Sequence, residues 1–236
     1  MITFHNITLF PEAFDSYIGA SIIKRAIEKK KIKVVNYNPR DFVVAKNKGK
    51  LTYSDRRVDD RPYGGGPGMV IEALPVIKAI DKAVGKYLRN AKSKKDVKII
   101  FFSPGGEQFS NEIAEDYKKY KHIVLVCGRY EGIDARIKKA FPMVDISVGP
   151  YVLTGGELPA MILIDAISRR VQGVLGDSAS VEENRIASRD VYTRPETIIY
   201  KKKKYSVPKI LLSGHHSNID SWKKKVNQNK KSNFYH

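Results

Sequence analysis

Short, fully apolar segments alternate with helical stretches over the first two thirds of the chain, and this alternation constrains the fold most. Apolar strands are predicted in the ranges 2–10, 32–37, 97–102, 122–127 and 144–148. Apolar residues recur at helical spacing in the ranges 14–27, 71–90, 109–120, 133–140 and 157–170. Strands without a polar face are typical of parallel sheets covered by helices on both sides. The pattern predicts an α/β fold with a mostly parallel sheet.

The domain organisation follows from where this alternation stops. Residues 171–190 are polar and lack apolar periodicity, so we interpret them as an interdomain linker. Residues 1–170 then form the main domain, and residues 191–236 form a small, mainly helical C-terminal domain. A chain of 236 residues is long enough for this arrangement.

The charge of the chain indicates a polyanionic partner, for which RNA is the leading candidate. The formal net charge is +18, and residues 201–236 contribute ten lysines against the single acid Asp220. Scattered runs such as Lys29–Lys31 are better explained as ordinary solvated surface than as RNA contacts. The sequence contains no run of 18 or more apolar residues, which is the length needed to span a membrane. The first residues do not have the pattern of an export signal. We therefore expect a cytoplasmic protein.

Glycine-rich loops follow three of the predicted strands directly. These are 103–106, 128–132 and 149–156. Ligands of open α/β sheets bind beyond the carboxyl ends of the strands, and glycines let the backbone approach a flat ligand such as a nucleoside. Any one loop could simply be a tight turn, but three together favour a binding site. Signatures of a P-loop or a dinucleotide fold are absent from the sequence.

The remaining residue types that often carry chemistry have simpler interpretations. No spacing of metal ligands occurs in the sequence, so we predict no metal site. The adjacent His215 and His216 are interpreted as turn or RNA-facing residues. The single cysteine, Cys127, lies in an apolar run and is expected to be buried without a chemical role.

The glycine loops and their flanking residues closely resemble motifs of bacterial tRNA (guanine-N1)-methyltransferases. The three longest matching segments are Val126–Asp134, Tyr151–Met161 and Asp59–Met69. Shorter matches cover the rest of the chain in order: Leu9–Glu12, Pro39–Phe42, Gly173–Gly176, Tyr192–Pro195 and Leu211–His216.

This resemblance implies a deep trefoil knot in the C-terminal part of the main domain, a type of connection that is rare in proteins. It also implies an obligate homodimer with composite active sites, and methyl transfer from S-adenosylmethionine to N1 of the guanosine immediately 3′ of the anticodon (guanosine 37), which protects the reading frame. The residues that would hold S-adenosylmethionine are Phe102, Ser103, Pro104, Gly128, Tyr130, Glu131, Val148, Gly149, Pro150, Tyr151, Val152, Leu153, Gly155 and Gly156. The sequence leaves open whether the reaction depends on Mg²⁺.

The catalytic residues implied by the resemblance include one departure from the family pattern. Arg169 matches the arginine expected to stabilise negative charge on guanine O6, but the family's aspartate falls on Asn184. An amide is not a useful proton acceptor near neutral pH. Either the adjacent Glu183 is the general base, or Asn184 binds the base edge while another group takes the proton, or the enzyme is slow; we favour Glu183. Pro150 also replaces an aspartate, with no evident consequence.

RNA contacts are expected mainly from the basic C-terminal residues, whose lysines would bind phosphates. The predicted RNA-binding residues are Arg61, Ser180, Lys201, Lys202, Lys203, Lys204, His215, Lys223 and Lys224. Two alternatives remain open. One is a knotted methyltransferase with a different target, and the other is a catalytically impaired RNA-binding protein, which the missing aspartate favours.

Overall fold

The structure, a computed structural model, describes residues 1–43, 56–175 and 190–231, without the side chains of residues 224–231. The strands in this part of the chain are β1 (Ile2–Ile7), β2 (Ile32–Tyr37), β3 (Asp59–Asp60), β4 (Val70–Ile71), β5 (Val97–Gln108), β6 (His122–Val126), β7 (Val144–Ser147), β8 (Thr197–Tyr200) and β9 (Lys203–Ser206). The α-helices are α1 (Asp15–Ile18), α2 (Ser21–Glu28), α3 (Ala73–Leu88), α4 (Ala91–Lys94), α5 (Asn111–Tyr117), α6 (Ile137–Ala140), α7 (Glu157–Ser168), α8 (Lys209–Leu212) and α9 (His216–Lys231).

The central sheet has the order β2-β1-β6-β5-β7, and all its neighbouring strands are parallel. Parallel strands require long crossovers, and the helices between them serve this purpose. The predicted α/β class and the mostly parallel sheet are therefore confirmed. The trefoil knot stays a prediction.

Both faces of the sheet are buried, because the strands present apolar residues alternately to each side. Phe4 and Leu125 pack on one face against α7, which contributes Leu163. Val124 packs on the other face against α3, which contributes Ile80. This double burial explains why the strands read as continuous apolar runs in the sequence.

Two of the predicted elements differ from the structure in an informative way. The helix expected at 14–27 is divided into α1 and α2 near Gly19, where a Cβ would lie only 2.6 Å from the carbonyl oxygen of Asp15. Strand β5 continues past the predicted turn, because Phe102 and Glu107 both pair with Ile146 of β7 and the residues between them loop out. This excursion places residues 103–106 at the carboxyl edge of the sheet.

The chain divides into two compact units, Met1–Gly176 and Asp177–His236, with the division inside the predicted linker. The second unit contains a β-hairpin, β8–β9, which the sequence analysis did not predict, followed by α8 and α9. None of the helices in the described ranges is long and apolar enough to cross a membrane.

His5 is buried under α3 beside the partly exposed His122, and its lowered pKa predicts that the stability of the first unit depends on pH. His5 Nε2 lies 3.1 Å from His122 Nδ1, and His5 Nδ1 lies 3.3 Å from Tyr37 Oη. Burial and the neighbouring His122 lower the pKa of His5 from 6.5 to about 4. An unfolded chain binds a proton at this ring as the pH falls through 6.5, whereas the folded chain binds it only near pH 4.

We therefore expect the free energy of unfolding to decrease by about 3 kcal/mol through this group as the pH falls from 7 to 4, and to be unaffected by it above pH 7. Urea unfolding at several pH values measures this slope. The variant His5→Gln should show a flatter dependence, while His216→Gln, at an exposed histidine, should keep the original slope. Equal slopes for the two variants would contradict the assignment.

Candidate functional site

A cavity of about 460 Å³ lies at the carboxyl ends of β5, β6 and β7. Its walls are the segment 103–106, which loops out within β5, and the glycine loops that follow β6 and β7. The predicted cofactor residues that line it are Phe102, Ser103, Pro104, Gly128, Tyr130, Glu131, Val148, Gly149, Tyr151, Val152, Leu153, Gly155 and Gly156; the exposed Pro150 does not. The volume lies within the range of sites for small molecules and cofactors. The structure thus brings together, in one concave site, loops whose first residues lie 21 or more positions apart in sequence.

Close approach between two of these loops requires glycine at the start of α7. A Cβ on Gly156 would lie 2.5 Å from the Cα of Cys127, and a Cβ on Gly155 would lie 2.3 Å from Arg129 Nε. The Gly156 N–H instead donates to the carbonyl oxygen of Gly128 at 2.9 Å. The two glycines therefore let the loop after β7 pack directly against the loop after β6.

A buried ion pair lies directly beneath this contact. Arg129 Nε lies 2.9 Å from Glu157 Oε2, and the Glu157 side chain is only 4% exposed. Thr8 Oγ1 donates to Glu157 Oε1 at 2.8 Å and accepts from the N–H of Phe10 at 3.0 Å. The Arg129 guanidinium also lies over the Phe10 ring at 4.7 Å. The carboxylate, at the positive N-terminal end of α7, therefore connects the loops after β1, β6 and β7.

The loop 59–69 reaches the cavity through Glu131. The Glu131 N–H donates to the carbonyl oxygen of Met69 at 3.0 Å, and the Glu131 side chain occupies the space beside Gly68 that a Cβ would need. Ile71 and Gly132 continue this contact with a backbone hydrogen bond of 3.0 Å. Two sequence motifs that are some 60 residues apart thus pack against each other beside the cavity, and Glu131 and Gly132 line it.

The open rim of the cavity carries large side chains that are accessible to a ligand. Tyr130 has a φ of +59° and is half exposed, and Val152 is 83% exposed. Tyr151 is held at the rim because its hydroxyl donates to the carbonyl oxygen of Val148 at 3.1 Å. A positive φ at a residue other than glycine is unfavourable and is often found at binding sites.

Several lining residues were missed by the sequence analysis. Lys138 on α6 lines the cavity, with its Nζ 2.5 Å from Asp145 Oδ2 and 4.6 Å from the Phe101 ring centre. Arg129 was missed as well, although it lies between two predicted residues. Its signal in the sequence was a cation inside one glycine loop together with a carboxylate, Glu157, directly after the Gly155–Gly156 pair of another.

Of the predicted catalytic residues, the structure describes Arg169, which does not line the cavity. Arg169 is the residue after α7, and a helix of twelve residues places it about 18 Å from the cavity end of that helix. Glu183, Asn184 and Ser180 lie outside the described residues. Their roles remain predictions.

The predicted RNA-binding residues are distributed over both units. Arg61 is exposed in the first unit, and in the second unit Lys201 to Lys204 lie at the tip of the β8–β9 hairpin. His215 is exposed, directly before α9, and Lys223 Nζ lies 3.9 Å from Asp220 Oδ1. The side chain of Lys224 is outside the description.

Cys127 is 2% exposed in the core of the first unit. Burial raises the pKa of its thiol well above the ordinary value, so the reactive thiolate is disfavoured. Within the described residues, no three histidine, cysteine, aspartate or glutamate side chains group as metal ligands would.

Comparison with known proteins gives matches over almost the full length. The family model described as tRNA (Guanine-1)-methyltransferase TrmD matches residues 2–235. The tRNA (guanine-N(1)-)-methyltransferase of Dictyoglomus turgidum is 42% identical over 229 residues, covering 95% of this chain and 84% of the relative. That of Buchnera aphidicola is 44% identical over 230 residues, covering 95% and 89%. The crystal structure of a tRNA (m1G37) methyltransferase from Aquifex aeolicus superposes with a TM-score of 0.76 at 35% identity, covering 98% of this chain and 92% of that one.

The buried ion pair generates a prediction for stability and ligand binding. Glu157→Gln should lower the free energy of unfolding by about 3 kcal/mol, because it leaves the Arg129 charge without its buried partner. It should also weaken binding of S-adenosylmethionine, because the loops after β6 and β7 lose their connection. Urea unfolding and calorimetric titration measure the two effects.

The control for this experiment is Glu28→Gln, which removes only an exposed contact of 4.0 Å to Lys24. It should cost less than about 0.5 kcal/mol and leave ligand binding unchanged. If Glu157→Gln behaved like this control, the ion pair would not be what holds the loops together.

Proposed function

The chain belongs to the TrmD family of tRNA (guanine-1)-methyltransferases, and on this premise we propose that it methylates N1 of guanosine 37 in tRNA. The observation that carries the proposal is the glycine-lined cavity at the carboxyl ends of three parallel strands, whose size suits a nucleoside cofactor. The Aquifex relative of matching fold is an m1G37 methyltransferase by its description. A tRNA-modifying enzyme acts where tRNA is found, so the cytoplasm is its proposed location.

The methyl donor of this proposal is S-adenosylmethionine, which when bound supplies an electrophilic methyl group. The cavity fits it in two respects. Glycines in the lining, such as Gly128 and Gly149, place no side chain between the backbone and a flat base, and Tyr130 and Tyr151 offer aromatic surface at the rim. The task of these loops is to hold the donor in one orientation, since alignment of reacting atoms alone can supply about 7–11 kcal/mol of the barrier in ideal cases.

Guanine N1 carries a proton at neutral pH, so a base must remove it and a cation must stabilise the charge that spreads to O6. Arg169 is the proposed cation. Because about 18 Å of helix separates it from the cavity end of α7, it would act on the cavity of a second subunit. Glu183 is the proposed base, with Asn184 contacting the base edge.

A homodimer supplies the second subunit, and the surface of α7 supports it. Leu158 and Ile162 are 56% and 42% exposed and lie one turn apart on α7. Asp165, nearly two turns beyond Leu158, accepts a hydrogen bond of 2.6 Å from the Tyr17 hydroxyl. Helix α1 therefore borders the exposed apolar stripe of α7 that Leu158 and Ile162 form. Two copies of α7 packed antiparallel about a twofold axis would place each Arg169 near the other subunit's cavity. Light scattering should then give about twice the chain mass of 26.7 kDa.

The basic second unit is the proposed tRNA-binding domain, with residues 171–190 as its linker. This unit contains Lys201 to Lys204 and Lys223, and their positive charge favours contacts with the phosphates of tRNA. Arg61, Ser180 and His215 are the further RNA contacts of the proposal.

Methyl transfer to tRNA transcripts that differ only at position 37 tests the function. We expect label from S-adenosylmethionine to enter a transcript with guanosine at this position and not one with adenosine, because only guanine offers N1 with O6 beside it. Label in both transcripts would indicate a different target. Label in neither, with tRNA still bound, would indicate a catalytically impaired RNA-binding protein.

In the same assay, Glu183→Gln should lower kcat by at least about 10²-fold, because a general base contributes about 10²–10⁴-fold. Its affinity for S-adenosylmethionine should not change. Glu182→Gln, at the preceding residue, is the matched control and should stay near the wild-type rate. Near-normal turnover of Glu183→Gln would move the base to another group.

A further inference from the structure

The turn of the β8–β9 hairpin has an unfavourable backbone for its sequence. Lys201 and Lys202 connect the two strands with φ values of +47° and +62°. Two-residue hairpin turns of this type favour Asn-Gly, because most side chains disfavour a positive φ. Lys201 and Lys202 thus occupy the two turn positions where a lysine is unfavourable for folding. This placement suggests that the two lysines serve another role.

One face of this hairpin combines aromatic rings with cations. The register pairs Ile198 with Tyr205 and Tyr200 with Lys203, and adjacent pairs on the same face form one surface. Tyr200 is 61% exposed and Tyr205 is 46% exposed. Lys201 Nζ lies 5.5 Å from the centre of the Tyr200 ring.

The charged side chains of the hairpin are all positive. Lys203 Nζ lies 5.6 Å from the centre of the Tyr205 ring, so each ring has a lysine beside it. The segment 197–206 contains four lysines and no acidic residue. An isolated two-stranded hairpin with both faces in water is only marginally stable, so an exposed aromatic face gains from a partner.

We propose that this aromatic face, formed by Tyr200 and Tyr205, stacks on unpaired bases of the tRNA while Lys201 to Lys204 contact the neighbouring phosphates. Unpaired nucleotides present a flat π surface and a phosphate together, which matches rings flanked by lysines. The inference rests on the proposed function, because it takes tRNA as the partner. It adds that the hairpin reads single-stranded parts of the tRNA through stacking, in addition to charge.

Equilibrium binding of tRNA at several salt concentrations separates stacking from charge. Tyr200→Leu and Tyr205→Leu should each weaken binding about tenfold at every salt concentration, because a stacked base is lost and no charge changes. Tyr200→Phe and Tyr205→Phe keep the ring and should bind like the wild type. Ile199→Leu, on the opposite face of the hairpin, is the matched control.

The double variant Lys201→Asn with Lys202→Gly tests the turn. It supplies the favoured turn residues, so the thermal midpoint should stay equal or rise, yet tRNA binding should weaken. The slope of log K against log salt should become shallower by about 1.4, since each phosphate contact on a single strand contributes about 0.7. Binding equal to wild type would overturn the role of these lysines.

A duplex RNA of similar length provides the final comparison. The lysine variant should weaken its binding, whereas the leucine variants should not, because a duplex offers no unpaired bases. Leucine variants that bind tRNA normally would overturn the stacking role, even if the wild type methylates guanosine 37. Conversely, loss of tRNA binding by these variants without any methyl transfer by the wild type would refute the proposed function and leave the stacking role standing. Leucine variants that instead lower the chain's oligomeric mass would show that protein covers this face, which also overturns it.

Discussion

The architecture of the site depends on the ion pair and hydrogen bond that the buried carboxylate of Glu157 makes with its neighbours. This carboxylate accepts a hydrogen bond from Thr8 after β1 and pairs with Arg129 after β6, and Glu157 begins the helix that follows the loop after β7. A carboxylate that is 4% exposed is tolerated only with such partners. One carboxylate therefore connects the loops that follow three separate strands, and the cavity lies directly beside these loops.

The two glycines that precede Glu157 allow the loops around its carboxylate to pack closely. Gly155 and Gly156 are required where the backbone of one loop touches Arg129 and Cys127 of another, at distances that no side chain would allow. The same lack of side chains leaves main-chain groups accessible at the cavity wall. The same two glycines thus belong both to the packing between the loops and to the lining of the cavity.

The residues proposed to bind the cofactor and those proposed for catalysis are separated along the chain. The cavity is complete within the first unit, but Arg169 lies at the opposite end of α7 and the linker residues Glu183 and Asn184 follow it. An apolar stripe on α7 that begins beside the cavity links these facts, because a second copy seated there would complete the site. In the proposed dimer, catalysis would depend on assembly, whereas every residue that lines the cavity comes from the first unit of one chain.

The sequence by itself determined the α/β class, the parallel sheet and most lining residues of the cavity. Apolar strands followed directly by glycine loops leave few alternatives, because strands buried on both faces must be covered by helices and their carboxyl ends must meet at one edge. Only the tertiary structure decided that Arg129 and Glu157 form a pair, that Lys138 lines the cavity, and that Arg169 lies about 18 Å from the cavity end of α7. It also revealed the β8–β9 hairpin, whose lysine-rich turn lacks the usual glycine signal. The Arg129–Glu157 pair and the position of Lys138 depend on contacts between residues far apart in sequence, and local patterns of hydrophobicity carry no information about which distant charges meet.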